Sequence, residues 1–410
     1  MSDTAFIEIN DVPAGATAPL SKRLPQLVGQ EAALEPILRR LQFGIVGLGS
    51  VGLNLSFHIS RLHPASIYFV DRGYFKPESL LTHLILSSVI GKPKASTAAR
   101  FAKDASAGSH LFCFDGPVES LPPVAFAGLD FVLLATDNLA AEIEVGQRCL
   151  HLGIPLLQAS VHGSTLVAQV RFFANTNGQG PCPRCCFNSA ELAYASNSTT
   201  FSCEGFYDDG ATAKVAGQRT ESFSFLCAMA SELCMMQVLR HTAKLGEPVQ
   251  DRVLQYCGYT DEITVTPLQR RTDCPCDHQI WETVTAPRAL DDCTPRELIG
   301  RAALSDRELR SAVFGIDDLH FVQSGACSGC DHRQPVGRFV SSTRSVVSCA
   351  KCGRPIDAEL YYTHRPAPIS LLGDLLDRPL RTFLASSPDS VLVSGDKAQM
   401  FRTPSDGETS

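Results

Sequence analysis

The stretch FGIVGLGSVGLNLSFHISRLHPASIYFVD, from Phe43 to Asp71, decides the fold. A short apolar run reaches Gly47, Gly49 and Gly52 and passes straight into a helical pattern. A second apolar run, IYFV, then ends on Asp71. Strand, glycine turn, helix and strand make one βαβ unit. A lone GxGxxG is a weak signal. Placed between a strand and a helix, with a carboxylate 24 residues after Gly47, it reads as a nucleotide-binding turn. Gly47 permits the tight turn, Gly49 lets the backbone approach phosphate, and Gly52 lets the helix pack on the strand. The helix N-terminus offers unpaired N–H groups and a positive dipole end. Asp71 can accept from ribose hydroxyls. The turn alone does not choose the nucleotide.

Outward from this unit, the pattern keeps alternating. A helix is predicted over Gln30 to Arg40, with Pro36 kinking or delaying it. Another starts near Pro93, and a strand follows around Leu111 to Phe114. The run DFVLLATDN (Asp130 to Asn138) reads as a buried strand ending on polar residues. A helix closed by Gly153 and the strand IPLLQAS come next. This alternation predicts an α/β fold with a Rossmann-like, doubly wound sheet, mostly parallel. STLVAQVRFFA then reads as an antiparallel addition, and Ser222 to Gly246 as an apolar helix. Between them, Pro181 to about Gln218 is polar and aperiodic, a long functional loop. Thr294 and Pro295 open a later helix as cap and first residue. The domain reading is 1–30 as an N-terminal segment, 31–284 as the nucleotide domain with its loop at about 186–220, 285–365 as a cysteine-bearing domain, and 366–410 as an extension whose last 15 or so residues are a disordered tail.

The 410 residues are enough for about two or three domains. A net charge of −7 argues against nucleic acid as the main partner. No apolar run is long enough to span a membrane, and the N-terminus lacks a basic stretch followed by an apolar core, so a cytoplasmic location is expected. Sixteen cysteines, several in C-x-x-C spacing, then point to metal rather than disulfides. Cys327-x-x-Cys330 and Cys349-x-x-Cys352, 18 residues apart, have the spacing of a zinc ribbon. The eleven histidines form no HExxH cluster.

The order GxGxxG, Asp71, GKPK, ATDN, C-x-x-C, long loop, apolar helix and CPC resembles the ThiF/MoeB/E1 superfamily over about residues 25–280. Those proteins adenylate the C-terminal carboxylate of a ubiquitin-like protein. The resemblance implies that Gly47, Gly49, Gly52 and Asp71 bind ATP. It implies that Lys94 contacts the phosphates and that Asp137 positions Mg²⁺. Lys plus Mg²⁺ suits attack at the α-phosphorus, where negative charge accumulates. Read in isolation, Lys94 is a surface lysine and Asp137 a helix cap. The resemblance also implies a Zn²⁺ site from Cys182, Cys185, Cys274 and Cys276, with Cys186 and His278 as alternative ligands. It places a catalytic cysteine in the loop, where Cys203 matches by position. Cys186 and Cys293 are rivals, and Cys227 and Cys234 read as core. The acidic Glu204, Asp208 and Asp209 would raise the Cys203 pKa.

The chain departs from the superfamily after Asp71. The usual Ser-Asn-Leu-x-Arg-Gln is Glu78-Ser79-Leu80-Leu81-Thr82-His83, so Ser79 replaces the Asn and Thr82 the Arg. Arg72, Lys76 and His83 are candidates to compensate. Arg23, before Gly29-Gln30, and Arg39 or Arg40 are candidates for the arginine that reaches a partner subunit's ATP. The resemblance implies a homodimer acting on a ubiquitin-like protein, with a thioester on Cys203 and transfer to an E2-like protein. It extends to bacterial conjugation operons, including those of antiphage defence. The alternatives are sulfur-carrier activation of the thiamine or molybdopterin type, an acyl-AMP enzyme acting on a peptide or tRNA base, an NAD-dependent oxidoreductase, and a non-catalytic nucleotide-binding scaffold.

Overall fold

The computed structural model describes residues 6–9, 34–106, 108–175, 178–188, 222–247, 251–317, 319–341, 347–356 and 360–404. Two compact units emerge. One is Ala5–Leu121 with Gly128–His278, and the other is Gln279–Ser410 with Pro122–Ala127.

The first unit is built on a nine-stranded sheet. Its strands, numbered in chain order, are β1 (Ile7–Glu8), β2 (Gln42–Val46), β3 (Ser66–Val70), β4 (His110–Phe114), β5 (Phe131–Leu134), β6 (Leu156–His162), β7 (Val167–Phe173), β8 (Arg252–Cys257) and β9 (Glu262–Pro267). The spatial order is β1-β4-β3-β2-β5-β6-β7-β8-β9. From β4 to β6 every pairing is parallel. β1, β7, β8 and β9 join antiparallel. The doubly wound sheet with antiparallel additions is therefore present as the alternation predicted.

Parallel strands are covered on both faces, so they read as continuous apolar runs. All four residues of β5 are buried, as are four of five in β2. Phe43 stacks on Phe131 with centroids 5.6 Å apart. Each such buried side chain contributes about 1.5–3 kcal/mol. The helices are α1 (Leu34–Leu38), α2 (Ser50–Ser60), α3 (Lys94–Lys103), α4 (Leu139–His151) and α5 (Ser224–Thr242). Only Leu34–Leu38 of the helix expected over 30–40 is described as helical, and Pro36 falls in its first turn, where a missing N–H costs nothing. Cys227 and Cys234 are buried in α5, as core residues should be, and Ser231 Oγ donates to Val51 O on α2 at 2.9 Å.

The chain runs from β2 through β3 to β4 on one side, then crosses back to β5 on the other side of β2. This reversal makes a topological switch point at the C-terminal ends of β2 and β5, the usual ligand crevice of open α/β sheets.

The second unit carries a five-stranded sheet: β10 (Glu282–Thr285), β17 (Ala398–Arg402), β16 (Ser390–Ser394), β11 (Val313–Ile316) and β15 (Ala367–Pro368), in that order. Phe314, Val391, Val393 and Phe401 fill its core. A three-stranded sheet, β13-β12-β14 (Arg333–Val340, His320–Ala326, Tyr361–His364), frames the cysteine module. Helix α6 (Pro295–Arg301) opens with a reciprocal capping box between Thr294 and Glu297, as its sequence indicated, and α7 spans Asp306–Leu309. The expectation of a disordered tail over the last 15 or so residues is corrected as far as residue 404: β17 pairs with both β16 and β10, and Met400 and Phe401 are buried, while 405–410 lie outside the described residues. A five-residue strand between polar flanks has no local signature; the pairing partners supply its stability.

Two glycine substitutions separate crowding from open space. A Cβ on Gly52 would lie 1.9 Å from Gly47 O, whereas one on Gly300 meets nothing within 4 Å. Gly52→Ala is expected to cost about 3 kcal/mol in denaturant unfolding, and Gly300→Ala to be neutral or stabilising by up to about 1 kcal/mol.

Candidate functional site

The glycine turn sits at the switch point. Gly47 has φ +86°, and a Cβ there would lie 2.7 Å from Ala135 O in the loop after β5. Gly49 precedes α2 and supplies no side-chain cap, so the helix's first N–H groups face the crevice uncapped by any side chain. Asp71, at the tip of β3, accepts from Leu48 N at 2.5 Å and from Gly73 N at 2.6 Å. One carboxylate thus ties the glycine turn to the end of the neighbouring strand. Each oxygen keeps a further lone pair for a ribose hydroxyl.

Lys94 is not a surface lysine: it is 7% exposed, at the first position of α3. A buried cation at a helix N-terminus is opposed by desolvation and by the helix dipole. Asp137 is exposed in the loop after β5, and it is not the cap of α4. Asn138 is, accepting from Ala140 N at 3.0 Å and Ala141 N at 3.4 Å. Behind this loop Glu142 is a further acidic group that sequence reasoning missed. Burial pushes its carboxyl up to about 7; Gln158 and Arg171 oppose the rise and Asp137 adds to it. Its position in an ordinary amphipathic helix carries no signal of that environment.

In the segment after β3, Ser79 is buried and its hydroxyl accepts from Lys76 N at 3.1 Å, a local cap. Thr82 Oγ1 lies 3.0 Å from His83 Nδ1. Arg39, just past the end of α1, pairs with Glu35 at 2.9 Å. Arg23, Gly29, Gln30, Cys203, Glu204, Asp208 and Asp209 lie outside the described residues, with most of the loop at 186–220. Cys186 is partly buried, and Cys293 is fully buried.

Two cysteine centres are assembled. Cys182, Cys185, Cys274 and His278 bring their ligand atoms within 4.8 Å of one another. Cys182 Sγ is 3.9 Å from Cys185 Sγ, 3.8 Å from Cys274 Sγ and 3.7 Å from His278 Nε2. A tetrahedron with Zn–S bonds of about 2.3 Å has edges of about 3.8 Å, so the donor set fits zinc. His278 Nδ1 lies 3.0 Å from Gly180 O, which turns Nε2 toward the thiols as a ligating histidine requires. Cys276 groups instead with His151 and Asp277. Cys276 also packs in one buried cluster with Cys182 and Cys185, so the CPCDH segment brings Cys274, Cys276 and His278 to the same thiols. The hydrogen bond between Cys182 and Cys185 lowers the Cys185 thiol and raises that of Cys182, so one thiolate is held by one thiol.

In the second centre Cys327, Cys330, Cys349 and Cys352 converge, with contacts of 3.5 Å (Cys327 to Cys352) and 3.6 Å (Cys330 to Cys349). Each C-x-x-C is followed by a residue in the left-handed region, Asp331 at φ 52° and Gly353 at φ 74°. Cys327 O accepts from Asp331 N and Cys349 O from Gly353 N, both at 2.9 Å. These are two matched zinc knuckles, and this centre can hold a second ion.

A doubly wound sheet whose switch point gathers a glycine turn, a strand-end carboxylate and a buried lysine defines an α/β enzyme of nucleotide-binding type. The ThiF family model matches residues 22–276, and the chain belongs to the ThiF family, an enzyme of the E1-like adenylyltransferase kind. The SAMP-activating enzyme E1 of Haloferax volcanii is 24% identical over 238 residues, covering 56% of this chain and 78% of that protein. The molybdopterin-synthase adenylyltransferase of Escherichia coli is 23% identical over 252 residues, covering 60% and 88%. A crystal structure of E. coli MccB with ATP aligns at 15% identity and a TM-score of 0.46, covering 59% of this chain and 68% of that one. Family membership sets aside the dehydrogenase reading. Among the described residues no helix is long and apolar enough to cross a membrane.

Metal analysis of the purified chain should give about two zinc per molecule. Cys182→Ser and Cys349→Ser should each remove about one equivalent, and a wild-type value near zero would refute both centres.

Proposed function

We infer that the protein uses ATP to adenylate the C-terminal carboxylate of a ubiquitin-like protein. The observation that carries this is Lys94, buried at the start of α3 beside the glycine turn. A carboxylate oxygen of the modifier attacks the α-phosphorus, the bond from that phosphorus to the β-phosphate bridging oxygen breaks, and pyrophosphate leaves. The uncapped N-terminus of α2 and the Lys94 ammonium stabilise the charge that builds on the phosphates. Asp71 orients the ribose. Asp137, exposed in the loop after β5, would hold Mg²⁺, which supplies further charge stabilisation when bound. Zinc at the two cysteine centres is structural, cross-linking chain segments far apart in sequence.

A second step then transfers the modifier from AMP to the thiol of Cys203: the carbonyl–sulfur bond forms, AMP leaves, and the thioester passes to an E2-like protein. A homodimer in the cytoplasm is the assembly proposed. The exposed Leu80, Leu81, Leu84 and Leu86, grouped between β3 and α3, support a protein partner there. A role in bacterial antiphage defence accompanies the conjugation reading. Sulfur-carrier activation is the second reading, supported by the likeness to the molybdopterin-synthase adenylyltransferase.

ATP–pyrophosphate exchange should appear only with the cognate modifier, and Lys94→Ala and Asp137→Ala should each lower it about 10²–10³-fold. Absence of exchange with every neighbouring ubiquitin-like protein sinks the reading. Cys203→Ala should retain exchange and lose a thiol-sensitive adduct with the modifier. An adduct that survives moves the nucleophile elsewhere, and a wild-type chain that exchanges without any adduct favours sulfur-carrier activation.

A further inference from the structure

Cys276 lies against the first zinc centre without being one of its four donors. It is buried, it packs with Cys182 and Cys185, and its thiol is hydrogen-bonded both to Cys182 and to His151. His151 is the last residue of α4. Its Nε2 also lies 3.0 Å from Asp277 Oδ1. One donor atom from each of His151, Cys276 and Asp277 falls within 4.8 Å of the other two.

An ion pair between His151 and Asp277 accounts for one of these contacts. It leaves the thiol unexplained, because a single Nε2–H serves one acceptor well and here it has two. A cation among the three accounts for all of them. Thiolate sulfur, imidazole nitrogen and carboxylate oxygen are the donor types that zinc takes. A tetrahedron with Zn–N and Zn–O bonds of about 2.0 Å has an edge of about 3.3 Å between nitrogen and oxygen, close to the spacing of His151 and Asp277. Cys182 stands at the remaining corner. It is fully buried, within 3.9 Å of each of its three partners in the first centre, and bonded to Cys276 as well. Two tetrahedra that share one corner need seven donors. The four of the first centre and these three make seven.

We propose that His151, Cys276 and Asp277 form a further cation site beside the first zinc centre, with the Cys182 thiolate shared between the two ions. This rests on the zinc reading of that centre. The site takes a divalent metal that accepts sulfur, such as zinc or cadmium. It is weaker than its neighbour for two reasons. Two dications on one thiolate repel each other, and Asp277 is exposed to water. A chain purified without added metal therefore keeps the two zinc ions of the cysteine centres, and the further site fills when metal is supplied. Binding displaces any proton from Nε2 and from the Cys276 thiol. Once filled, the site ties the C-terminal end of α4 to the CPCDH segment.

The test is ¹¹³Cd NMR of the full chain saturated with ¹¹³Cd²⁺ alone, with metal analysis after free ion is removed. The wild-type chain is expected to hold about three cadmium ions, two of whose signals split each other, as only ions that share a ligand atom do. His151→Ala should lose about one equivalent together with the splitting, and keep the signals of both cysteine centres. Asp277→Asn, which keeps the shape and removes the charge, should weaken the third ion about 10-fold. Two unsplit signals at saturation overturn the proposal and leave the zinc centres standing. A third equivalent that survives His151→Ala is surface binding and overturns it too, and three unsplit signals overturn the sharing of Cys182. A chain that binds no cadmium brings down the zinc centres and this site with them, a result distinct from the others. Should His151→Ala fail to fold, the splitting in the wild-type spectrum decides without any variant.

Discussion

Three pieces of backbone meet at the end of β2 with no room for a side chain between them. The α-carbon of Gly47 faces the Ala135 carbonyl, and that of Gly52 faces the Gly47 carbonyl. Through these contacts α2 is seated on β2, and β2 is seated beside the loop that leads from β5 to Asp137. A single methyl group would push the helix off the strand or the strand off its neighbour. Each of the other site residues is placed relative to this contact. Asp71 is bonded to the turn through Leu48 N, and Lys94 N donates to Gly73 O just beyond Asp71.

The charges around the turn are arranged for an anion. Lys94 is buried where the helix dipole opposes it, and the first N–H groups of α2 have no side-chain cap. An ordinary helix start would have a serine, threonine or aspartate at Gly49, and its oxygen would fill the same space. The negative groups stand at the edges: Asp71 at the tip of β3 and Asp137 in the loop after β5. The cysteine centres answer a different need. The cluster behind the ribbon comprises little more than Val322, Ile356 and Tyr361 with Cys327 and Cys349, and a metal can fix so small a core where apolar burial alone falls short.

The central sheet and its glycine turn were legible because their signals are local. Buried parallel strands write themselves as apolar runs, and the turn needs glycines at fixed spacing. The cap and first residue of α6 were legible for the same reason. Other features were not. Asp137 and Asn138 are adjacent and either could cap α4; only the observed bonds to Ala140 N and Ala141 N choose Asn138. His278 joins Cys182, Cys185 and Cys274 by a left-handed turn at its own position, which no sequence spacing announces. The buried strand near the C-terminus was hidden because its stability comes from β16 and β10, the second of them more than 110 residues earlier in the chain.

Sequence by itself therefore determined the βαβ order, the glycine turn, the two paired cysteine spacings and the α/β class. All are set by periodicity, backbone freedom or ligand spacing within a short window. Only the tertiary structure decided how charge and hydrogen bonding are distributed among residues that meet at the switch point. Folding buried Lys94, gave the cap of α4 to Asn138 and not to Asp137, and packed His83 edge-on against Phe75. Desolvation and partner choice depend on segments distant in the chain, and no local pattern records them.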